Sequence, residues 1–413
     1  MSNLEELIER LCPDGVEYKE LKNIIKSLNT GLNPRKFFKL NTEDANNYYV
    51  TIREIRDNKI VFSDSTDKIN DDALKLCNNR SNLEVGDILF SGTGTIGMTA
   101  LIDEEPINWN IKEGVYAIKP YSDIIDSKFL MYMLQSNEIK KECLKRIFGG
   151  TVKSISMKDL MSIKLPVPPL EVQREIVRIL DNFTFLTAEL AAELAARQKQ
   201  YEYYRDLLLT FKPNESTILN ERTNELELSG AIRWMKLGDI ADIGTGNGNT
   251  NEGLDTGKYP FFVRSQDIKY KNEYDFDETA IITSGDGVGV GKIFHFVSGK
   301  YALHQRAYRV HITSDNVLPK YFFYYFKNSF LTYISKASFH SSVTSIRRPM
   351  MINFPVPVPP LVVQQRIVDI LDRFDTLCND ISSGLPAEIE MRQKQYEYYR
   401  DKLLSFKELK KEA

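Results

Sequence analysis

Two glycine-rich strings carry residue types that could hold a phosphate. Gly92-Thr93-Gly94-Thr95-Ile96-Gly97 fits the GxGxxG spacing. In a dinucleotide site that string leads from a strand into a helix, so that the pyrophosphate meets the helix N-terminus. Here Met98-Thr99-Ala100-Leu101-Ile102-Asp103 follows, a strand-like run ending in acid, which argues against such a site. The second string, Ser284 to Lys292, is not a P-loop. Asp286 stands where its first glycine is required, and Ile293 where Ser or Thr must bind the metal. Two such strings at corresponding places fit a tight hairpin whose backbone approaches a ligand, or a plain structural turn.

Other catalytic chemistry finds little support. His295, His304, His311 and His340 form neither an HExxH string nor an i, i+4 pair, so packing or surface roles follow. Cys12, Cys77, Cys143 and Cys378 are scattered without a CxxC, which suggests reduced thiols and neither a zinc site nor a disulfide framework. The tetrapeptide that stacks a base for amino-methyl transfer is missing. Asn33-Pro34-Arg35-Lys36 comes nearest and lacks the aromatic.

Charge is informative locally. From Asn316 to Val368 there is no Asp or Glu, while Lys320, Lys327, Lys336, Arg347, Arg348 and Arg366 are present. Between Ile139 and Lys158 stand Lys140, Lys141, Lys145, Arg146, Lys153 and Lys158 against Glu142 alone. Basic tracts beside Ser and Thr suit phosphate contact, with a solvated face as the alternative. The candidates for DNA contact are Lys153, Ser154, Ser345, Arg347 and Arg348. Thr93, Thr95, Arg264 and Gln266 join them, the last two because a guanidinium and an amide read guanine and adenine edges.

The elements that must position these residues are repeated. The decapeptide RQKQYEYYRD occurs at 197–206 and again at 392–401. LPVPPLEVQREIVRILDNF (165–183) is matched by VPVPPLVVQQRIVDILDRF (356–374), and FGGTVKSIS (148–156) aligns with FHSSVTSIR (339–347). The C-terminal part of each half is nearly the same, and the earlier part diverges. That pattern fits a common scaffold carrying two different readers.

The scaffold reads as helix. After Pro168-Pro169, apolar residues at Ile176, Leu180, Phe183, Leu186, Leu190 and Leu194 recur at steps of three and four. A helix from Leu170 to Phe211 would be roughly 60 Å long and needs a partner, which the second copy offers. Ser382-Ser383-Gly384-Leu385-Pro386 should break that second copy. Leu180, Leu190, Leu194, Tyr201, Tyr204, Leu371, Tyr396 and Tyr399 are the expected coiled-coil and partner-binding residues. The tyrosines suit a helix seam or a partner-protein surface.

The fold class expected is α+β: two mixed α/β recognition domains joined by two long helices in an antiparallel coiled coil with an internal pseudo-twofold. The boundaries are 1–164 for the first domain with an N-terminal helix, 165–212 for the central helical spacer, and 213–230 for a linker. The second domain takes 231–350 and the C-terminal helical spacer 351–413. Strands are expected at Ile60-Val61-Phe62, 87–90, 115–118 and 293–296, and helices over 126–148 and 318–340.

The whole chain has 413 residues and a formal charge of −3, with a pI near 6.0. This excludes a globally basic nucleic-acid coat. No apolar run reaches the ~18 residues of a membrane span. Met1 to Arg10 has no apolar stretch of a secretory signal, so a cytoplasmic location is expected.

The two PVPPL…ILD segments, each followed by RQKQYEYYRD, resemble the helical regions of the specificity subunit of type I restriction–modification systems. Leu186-Thr-Ala-Glu-Leu-Ala-Ala-Glu-Leu-Ala-Ala196 is similar to a short repeat in that family's central helix. The resemblance implies two target recognition domains, each reading one half of a split, asymmetric DNA site, with the helices setting the spacing. It implies two modification (methyltransferase) subunits and restriction (translocase–nuclease) subunits as partners. It further implies no catalysis and no cofactor in this chain, with S-adenosylmethionine, ATP and Mg2+ on the partners.

Overall fold

A computed structural model describes residues 3–149, 153–211, 232–337, 345–380 and 382–409. The segment read as a linker, 213–230, lies outside the described residues, as do 150–152 and 338–344 of the aligned basic tracts and His340 within the latter. The chain divides into two compact units, Met1–Leu190 with Ile389–Ala413, and Ala191–Glu388.

In chain order the first half holds α1 (Asn3–Leu11), β1 (Glu17–Glu20), β2 (Ile25–Thr30), α2 (Pro34–Phe37), β3 (Asn47–Val50), β4 (Ile55–Arg56), β5 (Lys59–Ile60) and β6 (Lys68–Ile69). There follow α3 (Asp71–Ser81), β7 (Ile88–Ser91), β8 (Thr99–Leu101), β9 (Trp109–Ile111), β10 (Val115–Pro120), α4 (Ser127–Gln135), α5 (Asn137–Lys145), α6 (Met157–Met161) and β11 (Lys164–Val167). The helix α7 (Leu170–Leu209) comes next, then β12 (Arg233–Lys236), α8 (Leu237–Ile240), β13 (Ala241–Thr245), β14 (Tyr259–Phe262), β15 (Lys269–Lys271), β16 (Phe276–Ser284), β17 (Phe294–Leu303) and β18 (Ala307–Ile312). The chain ends with α9 (Pro319–Ala337), α10 (Arg348–Ile352), β19 (Pro355–Val358), α11 (Leu361–Asn379) and α12 (Leu385–Leu403).

Each unit is built on one sheet plan. The first has the order β2-β10-β7-β8, and the second has β13-β18-β16-β17 extended by β14 and β15. These four-strand cores are antiparallel throughout. In each unit one further strand pairs in parallel, β3 on β9 and β14 on β17. The period of two sorts side chains between two faces. In β7, Ile88 and Phe90 enter one core and Leu89 another. In β16, Ile281 enters one core and Ala280 and Ile282 another. Burial on both faces explains why these strands read as unbroken apolar runs.

The helical expectation over 126–148 resolves into two helices. Ser136 is extended and caps α5, its hydroxyl accepting from the Ile139 N–H. The counterpart α9 runs unbroken from Pro319 to Ala337 and buries Tyr321, Phe322, Phe326 and Phe330. The strand expected at Ile60–Phe62 is confined to β5, whose Ile60 pairs with Ile55.

The scaffold is repeated side chain for side chain. A two-stranded ribbon precedes each helix, β1 with β11 and β12 with β19. Prolines at 166, 355 and 357 fit there because a two-stranded ribbon is all edge. Gln173 is fully buried, donates to the carbonyls of Ile124 and Pro168, and accepts from the Asp126 N–H at 2.8 Å. Gln364 does the same with Asn316, Pro359 and Leu318. Tyr132 donates to Asp181 at 2.6 Å, and Lys128 bridges the same carboxylate. Tyr324 and Lys320 repeat this on Asp372. Burial and then the neighbouring carboxylate push both phenols up, so they stay protonated donors.

The long helix α7 has 40 residues and ends at Leu209, two residues short of the expected end. Its partner is not one helix. α11 stops at Asn379 and α12 starts at Leu385, broken where Gly384 and Pro386 stand. In the first unit Phe183 of α7 stacks on Tyr399 of α12, with ring centres 5.4 Å apart. In the second, Tyr204 stacks on Phe374 of α11 at 5.7 Å. Within its own unit, the first part of α7 thus packs on α12, and its last part packs on α11 in the other.

Candidate nucleic-acid interface

The first glycine string is the turn of the β7–β8 hairpin. No helix follows it, so the dinucleotide geometry is absent there. Gly94 and Gly97 take positive φ values of 82° and 92°, which other residues adopt only under strain. The Ser91 hydroxyl accepts from the Met98 N–H and donates to the Thr95 carbonyl, locking the turn. The second string is likewise a hairpin turn, between β16 and β17. The Ser284 hydroxyl donates to the Asp286 carbonyl at 2.8 Å.

Backbone hydrogen bonds bring each turn to the tract before its helical scaffold. Thr93 bridges Ser154, and Asp286 bridges Ser345. The Ile155 N–H donates to the Gly92 carbonyl at 2.9 Å, and the Ile346 N–H to that of Gly285 at 2.8 Å. A third strand joins, since the Gly92 N–H donates to Gly114 and the Gly285 N–H to Arg306. Tyr116 caps the first corner by donating to the Ile155 carbonyl at 2.7 Å. Tyr308 donates to the Ile346 carbonyl at 3.5 Å in the second. Gly92 and Gly285 are required by this closeness. A Cβ at Gly92 would lie 2.2 Å from the Tyr116 ring, and one at Gly285 2.6 Å from the Arg306 carbonyl.

The sequence candidates therefore gather at two corners, one per unit. Thr93, Thr95, Lys153 and Ser154 share the first, with Thr95 and Lys153 exposed and Lys153 without an ion-pair partner among the described residues. Ser345, Arg347 and Arg348 lie at or beside the second, all exposed, with Arg347 and Arg348 opening α10. Gln266 is exposed, four residues past the end of β14.

Arg264 is differently placed from the free fork that its sequence suggests. Its Nη1 donates to Asp286 Oδ1 at 2.8 Å, and Arg306 Nη1 donates to the other oxygen at 2.9 Å. Burial alone would raise the Asp286 carboxyl, but the two arginines outweigh it and hold the group below the usual carboxylate range. It stays charged at neutral pH. Burial and then Arg264 push the adjacent His304 down, and its Nδ1 accepts from the Arg306 N–H. Arg306 and Asp286 carry no motif, and their pairing depends on two turns that meet only in the fold.

Other parts of the basic tracts do structural work. Lys320 is tied to Asp372 and lies over the rings of Phe296, Phe323 and Tyr324. Lys145 and Arg146 both pair with Glu142. The acid-free stretch is thus not one continuous patch, because acids distant in sequence reach into it.

Among the helix candidates, Leu180 and Leu371 are fully buried and Tyr396 nearly so. Leu190, Leu194, Tyr201 and Tyr204 are half-buried, and Tyr399 packs on Phe183 while remaining partly exposed. Leu186 leaves the expected face and is 46% exposed. Tyr203 and Tyr398 are exposed beside their packed neighbours.

The four cysteines are free and buried, and burial pushes Cys77 and Cys143 up to about 11, which keeps them unreactive thiols. Among the described residues no cluster could hold a metal ion, and no helix is long and apolar enough to cross a membrane.

Comparison with known proteins bears on this arrangement. Residues 13–197 and 232–391 match the family model of the type I restriction modification DNA specificity domain. A type I restriction enzyme specificity subunit from Escherichia coli is 37% identical over 273 residues, 59% of this chain. That match spans 63% of the relative's own length. A putative type I restriction enzyme specificity subunit of Haemophilus influenzae is 36% identical over 310 residues, 68% of this chain and 73% of that protein. The crystal structure of a type I restriction-modification S subunit from M. genitalium superposes with a TM-score of 0.55 at 15% identity, covering 94% of this chain and 96% of that one. At such identity the likeness is one of fold.

Proposed function

This chain belongs to the family of the type I restriction modification DNA specificity domain, and from that premise we propose that it is the non-catalytic subunit that reads DNA for a type I restriction–modification complex. Each unit reads one half of a two-part asymmetric site. The observation that carries this reading is the repeated corner. Thr93 meets Ser154 and Asp286 meets Ser345 through the same backbone ladder, while the exposed side chains differ. Lys153, Arg347 and Arg348 supply phosphate contacts that orient the units, and the hairpin turns approach base edges.

Two modification subunits and the restriction subunits are the partners in this reading. They dock on the helices and bring S-adenosylmethionine, ATP and Mg2+, and the complex works in the cytoplasm, where its DNA lies. Exposed Tyr203 and Tyr398 offer the amphipathic contact area that such docking uses.

The test is base-resolution methylation sequencing of cells that express the chain with its modification subunits. A two-part motif with a fixed unspecific spacer is expected. A continuous motif, or S-adenosylmethionine binding and methylation by the isolated chain, would overturn the reading.

A further inference from the structure

The two corners differ at three backbone positions that correspond. The Lys112 N–H donates to the Val50 carbonyl at 2.9 Å, as the His304 N–H does to Phe262 at 3.0 Å. The Gly92–Gly114 bond has its counterpart in the bond from Gly285 to Arg306. Ile52, Thr93 and Gly114 therefore occupy in the first unit the places of Arg264, Asp286 and Arg306 in the second. The Thr93 side chain closes over Gly114, where a Cβ would lie 2.8 Å from the Thr93 hydroxyl. Only the second corner can carry the charged cluster.

That cluster is poorly explained as a stabilising device. Arg264 is 40% exposed and Arg306 63%. Exposed ion pairs of this kind add little to stability. One carboxylate between two guanidinium groups also leaves a net positive charge. Each arginine uses one Nη on Asp286, and among the described residues no other acceptor takes its remaining side-chain donors. Asp286 is itself fixed, with its carbonyl held by the Ser284 hydroxyl and its neighbour Gly285 bonded to Arg306 and Ile346. Two planar forks with free donor edges, held by a rigid carboxylate, match adjacent acceptors such as N7 and O6 of guanine.

We propose that Asp286 is a positioning residue that sets Arg264 and Arg306 as a guanine-reading pair, so that the half-site of the second unit contains a G·C pair recognised through them. The first unit, with Ile52, Thr93 and Gly114, reads its half-site without such a fork. The inference rests on the DNA-reading function proposed above.

The experiment uses the full chain assembled with its modification subunits. Methylation motifs and binding to duplexes substituted one base pair at a time are compared for wild type, Arg264→Ala, Arg306→Ala, Arg264→Lys and Asp286→Asn. Discrimination at one G·C position should relax about tenfold or more in each alanine variant. Arg264→Lys should not rescue it, because an ammonium lacks the planar fork. Asp286→Asn keeps the side chain's shape and loses its charge. It should relax the same position, with the other half-site intact as an internal control. The pair would instead be phosphate contacts, and the proposal overturned, if the arginine variants weakened all duplexes equally and lowered the salt slope by about one. Unchanged discrimination in all four would also overturn it. A wild-type complex without a two-part motif would count against the proposed function, before any variant is compared.

Discussion

The corner at Thr93 and the corner at Asp286 are held by the same ladder of backbone bonds, yet one is closed by a threonine over a glycine and the other carries an Arg–Asp–Arg cluster. Between the same two units, the joints to the helices are alike down to single side chains. Gln173 and Gln364, Tyr132 and Tyr324, Asp181 and Asp372 make matching bonds. Where backbone bonds carry the structure, side chains are free to vary. Where side chains carry it, as in a buried glutamine with three partners, they cannot vary without loss. In the function proposed above, recognition belongs to the corners and assembly to the joints.

The joints give the largest effect by which to break this contrast. Gln173→Ala and Gln364→Ala each strand buried backbone groups and should each cost about 2–4 kcal/mol. Urea unfolding should show similar losses for the two, and a negligible loss for either would mean that the joints are not equivalent. Next come Gly92→Ala and Gly285→Ala, which force a methyl group into a ring or a carbonyl and should cost about 1–3 kcal/mol. Methylation of both half-sites should survive in whatever fraction stays folded.

A four-residue insertion of Leu-Thr-Ala-Glu type after Glu193 should hardly alter stability, since the residues are strong helix formers. It should lengthen the unspecific spacer, because one unit adds ~6 Å and ~40° to α7. Altered half-site sequences in the methylation motif would contradict this. The smallest effects belong to Lys153→Ala, Arg347→Ala and Arg348→Ala. Each should flatten the plot of log affinity against log salt by about one unit and leave base preference unchanged. A change in preference would move these residues from phosphate to base contact.

The repeat made the joints legible in the sequence. Identical residues recur there because contacts such as Tyr204 on Phe374 and Phe183 on Tyr399 are themselves repeated. The break at Gly384 and Pro386 was legible because no helix interior accommodates both. The corners were legible only in part. The aligned tracts pointed to Ser154 and Ser345, but Gly114 and Arg306, the third-strand partners of Gly92 and Gly285, come from turns in divergent sequence, and only strand pairing brings them there. Leu186 misled because two successive three-residue steps, from Leu180 to Phe183 to Leu186, each fall about 60° short of a whole turn, so this one apolar residue leaves the face and ends in water. The acid-free tract misled because charge is balanced in space, and Lys320 finds Asp372 from another helix.

Exchange of residues 231–350 for the corresponding segment of another specificity subunit tests the central claim most directly. Methylation sequencing of the resulting complex should report one new half-site, with the other half-site and the spacer unchanged. Two altered half-sites, or an altered spacer with both half-sites kept, would contradict the separation of readers from scaffold.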